Sequence, residues 1–324
     1  MTFLRGLRST ESESEPEPEY GLKQLHDSEE AEVDIVFVHG LGGSREATWT
    51  VNGVCWPQEL LPQDLPKTRI LTFGYDSRVV SFTAALSQNG IIGNAEDLCA
   101  QLSRYRTESG TAERPIILVA HSLGGLVCAQ AVVAGNRGAP SDNTETVSKQ
   151  IRGIVFLGTP FCGSEIANWV LRVHKVADYI FESNKSNISD LRSKSDTLQH
   201  LMEEFANVLR KRDNSDESVR TTFFYEQRKT QGVMVVDRNS AAIPGRGDMI
   251  SIPADHKHIC KFGSRNDEGY NLVLGALKKM LVIVPVRKKE TSPVFNFNNA
   301  GAAINNQAGQ QTINGGMNFG SFGR

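Results

Sequence analysis

The chain has 324 residues, 35 of them basic and 37 acidic, for a net charge of −2. That balance leaves no basic excess for a general nucleic-acid footprint, and no apolar run approaches the roughly 18 residues needed to cross a bilayer. Hydrophobic residues make up 39% and charged residues 22%, which suits a chain that buries a core in one large or two modest domains. The five cysteines, Cys55, Cys99, Cys128, Cys162 and Cys260, are odd in number, scattered and without a C-x-x-C pair. A disulfide framework and a cysteine-type zinc site are both disfavoured, and a reducing compartment is favoured. The opening Met1-Thr2-Phe3-Leu4-Arg5-Gly6-Leu7-Arg8 is too short and too soon acidic to read as a secretory leader, so a cytoplasmic location is expected.

In chain order, residues 1–20 form an acidic arm in which Glu alternates with Ser and Pro from Glu11 to Glu19. Such text repels itself, has little apolar surface to bury and is expected to be disordered. Residues 21–289 alternate β-rich runs with helical patterns. The expected strands are 33–38 (VDIVFV), 69–73 (RILTF), 115–120 (PIILVA), 153–157 (GIVFL), 221–225 (TTFFY) and 233–236 (VMVV). Unbroken Val/Ile/Phe runs indicate strands buried on both faces, as in a parallel sheet. Between them, Ile91, Ala95, Leu98, Leu102 and Tyr105 recur at helical spacing, 126–134 follows the third run, and 271–280 closes the domain. The alternation predicts a doubly wound α/β fold.

Residues 165–212 break that rhythm as a long helical insert. Ile166, Trp169, Val173, Val176 and Ile180 line one half; Leu191, Leu198, Leu201, Met202, Phe205 and Leu209 line the other. The insert reads either as two packing helices or as a cap, in which case Trp169 and Ile180 would contact an apolar substrate. From 291 the composition changes again: seven Asn, three Gln, six Gly and four Phe, with Arg324 the sole charge.

The chemistry is concentrated at Ala120-His121-Ser122-Leu123-Gly124-Gly125, where a buried strand gives way to a helix. This small-x-Ser-x-Gly pattern is the nucleophile elbow of α/β hydrolases. The turn is tight enough that the residues two before and two after Ser122 must be small. It pushes the hydroxyl out of the sheet and sets the helix N-terminus, with its free amides and positive dipole end, beneath a developing oxyanion. Upstream, His39-Gly40-Leu41-Gly42-Gly43 also follows a buried strand, so the amides of Leu41 and Leu123 are the expected oxyanion donors. No Lys-Ser/Thr follows Gly43 and no G-x-G-x-x-G occurs, so nucleotide binding is not expected, and neither a cofactor nor a metal is.

A base and an acid must follow in the order Ser, acid, His. Of the seven histidines, His26, His39 and His121 precede Ser122, and His174 and His200 fall in the insert. His256 and His258 remain, and order and polarity do not separate them. For the acid, Glu226 ends the 221–225 run and is favoured by strand order; Asp237, after 233–236, is the alternative.

The stretch from Tyr20 to Tyr270 resembles the SERAC-like serine hydrolases, and among them the fungal SesB-like, lipase-like domains found near NLR-type receptors. The resemblance rests on Val33–Gly43, Thr48-Trp49-Thr50, Trp56-Pro57, Phe73-Gly74-Tyr75, Ala120–Gly125, Gly153–Pro160 and Asp255-His256-Lys257-His258-Ile259-Cys260-Lys261-Phe262. It implies an α/β-hydrolase fold with a mostly parallel sheet, Ser122 as nucleophile, His256 as base, Glu226 as acid, and lipid or other ester substrates. Phe161-Cys162-Gly163 departs from the family's His-Arg-Gly after Gly-Thr-Pro, which bears on substrate preference. In the tail, 300–305 recurs loosely as 308–314. Uncharged Asn/Gln/Gly text without internal Pro can stack in register. The tail resembles the amyloid-signalling motifs of fungal NLR effectors, which implies self-association through 291–324, an NLR-type receptor as partner and peripheral membrane contact on activation. Two functions are therefore carried forward: a serine esterase, and a signalling protein whose hydrolase-fold domain need not turn over.

Overall fold

The computed structural model describes residues 20–77, 88–136, 142–161, Arg172 and 188–283, together with the backbone of two short tail strands. The acidic arm up to residue 19 and most of the first half of the insert, Trp169 and Ile180 included, lie outside the described residues.

The elements run β1 (Gly21–His26), β2 (Val33–Val38), a small hairpin of β3 (Thr50–Val51) and β4 (Val54–Cys55), then α1 (Trp56–Glu59), α2 (Leu61–Asp64) and β5 (Thr68–Gly74). Helix α3 (Gln88–Glu108) leads to β6 (Ile116–His121), α4 (Leu123–Asn136), α5 (Asp142–Gln150) and β7 (Ile151–Leu157). After it come α6 (Ile188–Arg212), β8 (Arg220–Glu226), β9 (Asp248–Ile252) and α7 (Glu268–Ile283). Seven strands form one sheet in the order β1-β5-β2-β6-β7-β8-β9, and every neighbouring pair is parallel except β1 with β5.

Period-two alternation sorts the buried strands between two cores. Val36, Val38, Leu118, Ala120 and Phe156 face α3, α4 and α6; Ile35, Phe37, Ile117, Val119 and Val155 face α7 and the Trp49–Trp56 cluster. The second half of the insert belongs to the first of these cores. Leu198, Leu201, Met202, Phe205 and Leu209 of α6 are buried, and Phe205 packs against Phe156 and Phe161. Of the two readings of the insert, the described part is thus a packing helix.

One expected strand needs correction, and two strands were not expected. Residues 233–236 are not a strand: apart from a single bridge between Thr230 and Val233 they form a loop, and Val235 and Val236 are apolar because they fill the core. A short apolar run cannot by itself be told from a buried loop or helix. The last strand is instead β9, which escapes detection because as an edge strand it keeps Asp248 and Met249 exposed. Antiparallel β1, half-exposed along its length, escapes for the same reason.

The register positions the site. Val38 lies beside Ala120, His121 beside Leu157, Leu157 beside Phe224, and Glu226 beside Ile252. The carboxyl ends of β2, β6, β7, β8 and β9 therefore finish together, and the loops that leave them share one rim.

The chain divides into two compact units, Met1–Pro285 and Val286–Arg324. In the second, β10 (Ile304–Gln307) and β11 (Gln310–Ile313) pair antiparallel, with Ile304 opposite Ile313 and Gln307 opposite Gln310. Ile304 and Asn305 of the first copy of the loose tail repeat thus lie opposite Ile313 and Thr312 of the second.

Candidate active site

Ser122 stands between β6 and α4 with a φ of 51°, a left-handed conformation that a side-chain-bearing residue seldom adopts. Three hydrogen bonds hold it there. Its N–H donates to the Leu157 carbonyl at 2.9 Å, and its carbonyl accepts from the Gly125 amide at 3.0 Å and the Thr159 hydroxyl at 3.0 Å. Close packing explains the small residue two positions on. A Cβ on Gly124 would lie 2.4 Å from the carbonyl oxygens of Val38 and His39, so only glycine lets α4 begin against the end of β2. That approach brings the loop containing Leu41 beside the start of α4. Among the described residues, neither the Leu41 nor the Leu123 amide donates to another backbone group. Leu123 opens its helix, where an amide lacks an intrahelical partner.

His256 lies in the loop between β9 and α7. Its Nε2 is 3.0 Å from the Ser122 hydroxyl and its Nδ1 is 2.9 Å from Glu226 Oε2. Glu226, the last residue of β8, is 2% exposed. Its second oxygen accepts from the amides of Val235 and Val236, the latter at 2.8 Å. The carboxylate is therefore fixed on both oxygens, and its contact with Nδ1 specifies the tautomer with the proton on Nδ1 and a bare Nε2 facing the hydroxyl. The His256 amide donates to Thr230 Oγ1 at 3.0 Å, and Gly158, at φ 62°, lets the ring pass within 3.1 Å of where a Cβ would stand. A hydroxyl so placed can surrender its proton to Nε2 as it attacks an electrophilic carbonyl.

The competing residues are placed elsewhere. His258 is exposed, with Nδ1 2.7 Å from Asp255 Oδ1. Asp237 caps its own turn: Oδ1 accepts from the amides of Asn239 and Ser240, both at 3.0 Å, and from the Ser240 hydroxyl at 2.9 Å. Its Oδ2 lies 3.5 Å from Arg172. Burial works against its charge, yet Ser240, Arg172 and Asn239 together hold its carboxyl below the usual range. His39 is structural, stacked on Tyr75 at 4.5 Å, with Nδ1 2.9 Å from the Gly40 carbonyl. Burial pushes the thiols of Cys99 and Cys260 up to about 12, so neither offers a thiolate near neutral pH. The sequence pattern did not single out Thr159, Thr230 or the amides of Val235 and Val236. The last two act through backbone, which leaves no residue-type signal.

A groove of about 710 Å³ lies at the amino ends of β8 and β9, lined by Arg220, Thr222, Arg246 and Lys279 among others. It is at the other end of β8 from Glu226, and Arg246 and Lys279 are engaged there by Asp213 and Asp248. Among the described residues no group of three or more His, Cys, Asp and Glu could hold a metal ion, and no helix is long and apolar enough to cross a membrane.

A family model described as the alpha/beta hydrolase family matches residues 35–246. Protein SERAC1 of Danio rerio is 28% identical over 255 residues, covering 74% of this chain and 37% of its own. Protein SERAC1 of Homo sapiens is 25% identical over 282 residues, with 80% and 40% covered. The chain thus spans about two fifths of the length of these curated relatives. Among solved structures, an esterase of Pyrococcus furiosus superposes with a TM-score of 0.42 at 14% identity, covering 77% of this chain and 83% of that one.

Proposed function

Starting from a chain that belongs to the alpha/beta hydrolase family, we propose that it is a serine esterase working through Ser122, His256 and Glu226. The observation that carries this reading is the continuous contact from the Ser122 hydroxyl to His256 at 3.0 Å and on to Glu226 at 2.9 Å. In the proposed reaction Ser122 Oγ attacks an ester carbonyl while His256 Nε2 takes its proton. Glu226 keeps the ring oriented and stabilises the imidazolium. The amides of Leu41 and Leu123 receive the tetrahedral oxyanion. Nε2 then gives its proton to the departing alkoxide, which leaves as the alcohol. Water, deprotonated by the same nitrogen, releases the acid from the acyl-enzyme and restores Ser122.

The substrate class we favour is a lipid-like or other carboxylic ester, on the strength of the SERAC-like resemblance and the apolar text of the insert around Trp169 and Ile180. We further propose that the tail recruits the chain. Residues 291–324 have one charge, at Arg324, so little repulsion opposes stacking of identical copies. An NLR-type receptor with similar text would seed that assembly, in the cytoplasm or at a membrane surface.

The test is turnover of a p-nitrophenyl ester by the full chain and by Ser122→Ala. The variant is expected to lose roughly three orders of magnitude or more in kcat. Equal turnover by both chains would overturn the esterase reading and leave a hydrolase-fold protein that signals without catalysis.

A further inference from the structure

The ring of His121 is packed between the loops that carry the proposed oxyanion donor and the proposed base. On one side, a Cβ on Gly40 would lie 3.1 Å from its Nδ1. On the other, its Nε2 is 2.9 Å from the backbone carbonyl of His256, and the two imidazole centroids are 5.1 Å apart. A carbonyl oxygen can only accept, so Nε2 carries the proton and donates. We propose that His121 is a positioning residue for catalysis: by donating Nε2–H to the His256 carbonyl, it fixes the backbone of the base at the distance from Ser122 that proton transfer requires. The inference rests on the proposed role of His256.

Three features make this more than packing. The His256 backbone is held at both polar groups, its amide by Thr230 Oγ1 at 3.0 Å and its carbonyl by His121, while its side chain is held by Glu226 at 2.9 Å. With both backbone groups tied, movement of the ring is confined to its side-chain torsions, which Glu226 restricts. Second, His121 directly precedes Ser122, so the segment that presents the hydroxyl also sets the position of the base. Third, a positive charge on His121 would oppose the imidazolium that must form on His256. Desolvation and the neighbouring His256 push the His121 imidazole down to about 3, so it stays neutral through the cycle and supplies a donor without a charge.

The experiment compares His121→Phe, His121→Gln and His121→Asn in the full chain, reading kcat and KM for a p-nitrophenyl ester and the thermal midpoint of each variant. Phe keeps ring volume without a donor. The Gln amide nitrogen reaches the place of Nε2, whereas that of Asn falls nearer Nδ1. The expected result is a fall in kcat of roughly ten- to a hundredfold for Phe and Asn, as a small misplacement of a catalytic group produces, with KM nearly unchanged and kcat largely restored by Gln. Equal kcat for folded Phe and wild-type chains would overturn the proposal. If Phe does not fold, Gln and Asn decide: equal kcat in those two overturns it, and a Gln advantage supports it. Undiminished turnover by Ser122→Ala in the same assay would be a separate failure, of the esterase reading itself, and would remove the ground for this inference too.

Discussion

Ser122 is held at φ 51° by hydrogen bonds from three separate places: the end of β7, the first turn of α4 and the Thr159 hydroxyl. A conformation of that kind persists only where the surroundings over-determine it, and it recurs where a side chain must be presented for chemistry. The motif made Ser122 legible in the sequence, because the spacing of small residues follows from the tightness of the turn. The carboxylate that orients His256 was less legible. Glu226 and Asp237 looked alike as strand-end acids, since the apolar text of 233–236 imitated a strand. In the structure that text is the loop whose amides hold Glu226, while Asp237 is spent on Ser240, Asn239 and Arg172. Glu226→Gln is therefore expected to lower kcat roughly a hundredfold or more, as loss of the orienting carboxylate does in such triads. Asp237→Asn should leave kcat close to that of the parent chain. Steady-state turnover of the two variants side by side checks this, and the reverse ranking would move the acid to Asp237.

At the scale of elements, β2 is anchored at one end and functional at the other. Its carboxyl end leads into His39–Gly43, and near its amino end Asp34 is fully buried among three arginines. Arg69 of β5 forms a two-pronged contact with it at 2.9 and 2.8 Å, Arg114 reaches it at 3.1 Å, and Arg106 of α3 completes the set. One carboxylate thereby ties β2, β5, α3 and the start of β6 together. Burial drags the Arg106 guanidinium down to about 10 even with Asp34 beside it. Removing the carboxylate leaves buried guanidinium groups without their partner, so Asp34→Asn should destabilise the fold by about 3–5 kcal/mol. Urea unfolding reads this as a lower midpoint at unchanged slope; a loss below about 1 kcal/mol would mean that water or relaxation replaces the pairing. The arginines were not legible in advance, because a charged residue inside an apolar run gives no sign of its partner. The strands themselves were legible where both faces are buried, as in β2, β6 and β7. They were not where a strand lies at the sheet's edge, as with β1 and β9.

At the scale of the whole molecule, the composition changes near residue 290, and the chain divides into two compact units at Pro285. Composition could not foretell the pairing of the two tail strands, Asn305 opposite Thr312 and Asn306 opposite Gln311. A two-stranded hairpin is marginal alone in water and leaves both outer edges free to accept further strands. The peptide 291–324 is accordingly expected to form thioflavin-positive fibres with a cross-β spacing of about 4.7 Å; a peptide that stays monomeric even when seeded would remove the recruitment proposal and leave the esterase reading intact. That reading is tested most directly by treating the full chain with a fluorophosphonate and mapping the adduct by peptide mass spectrometry. A single adduct on Ser122, formed much more slowly in Glu226→Gln, is the predicted result. No adduct on natively folded protein, or one on a residue other than Ser122, would contradict it.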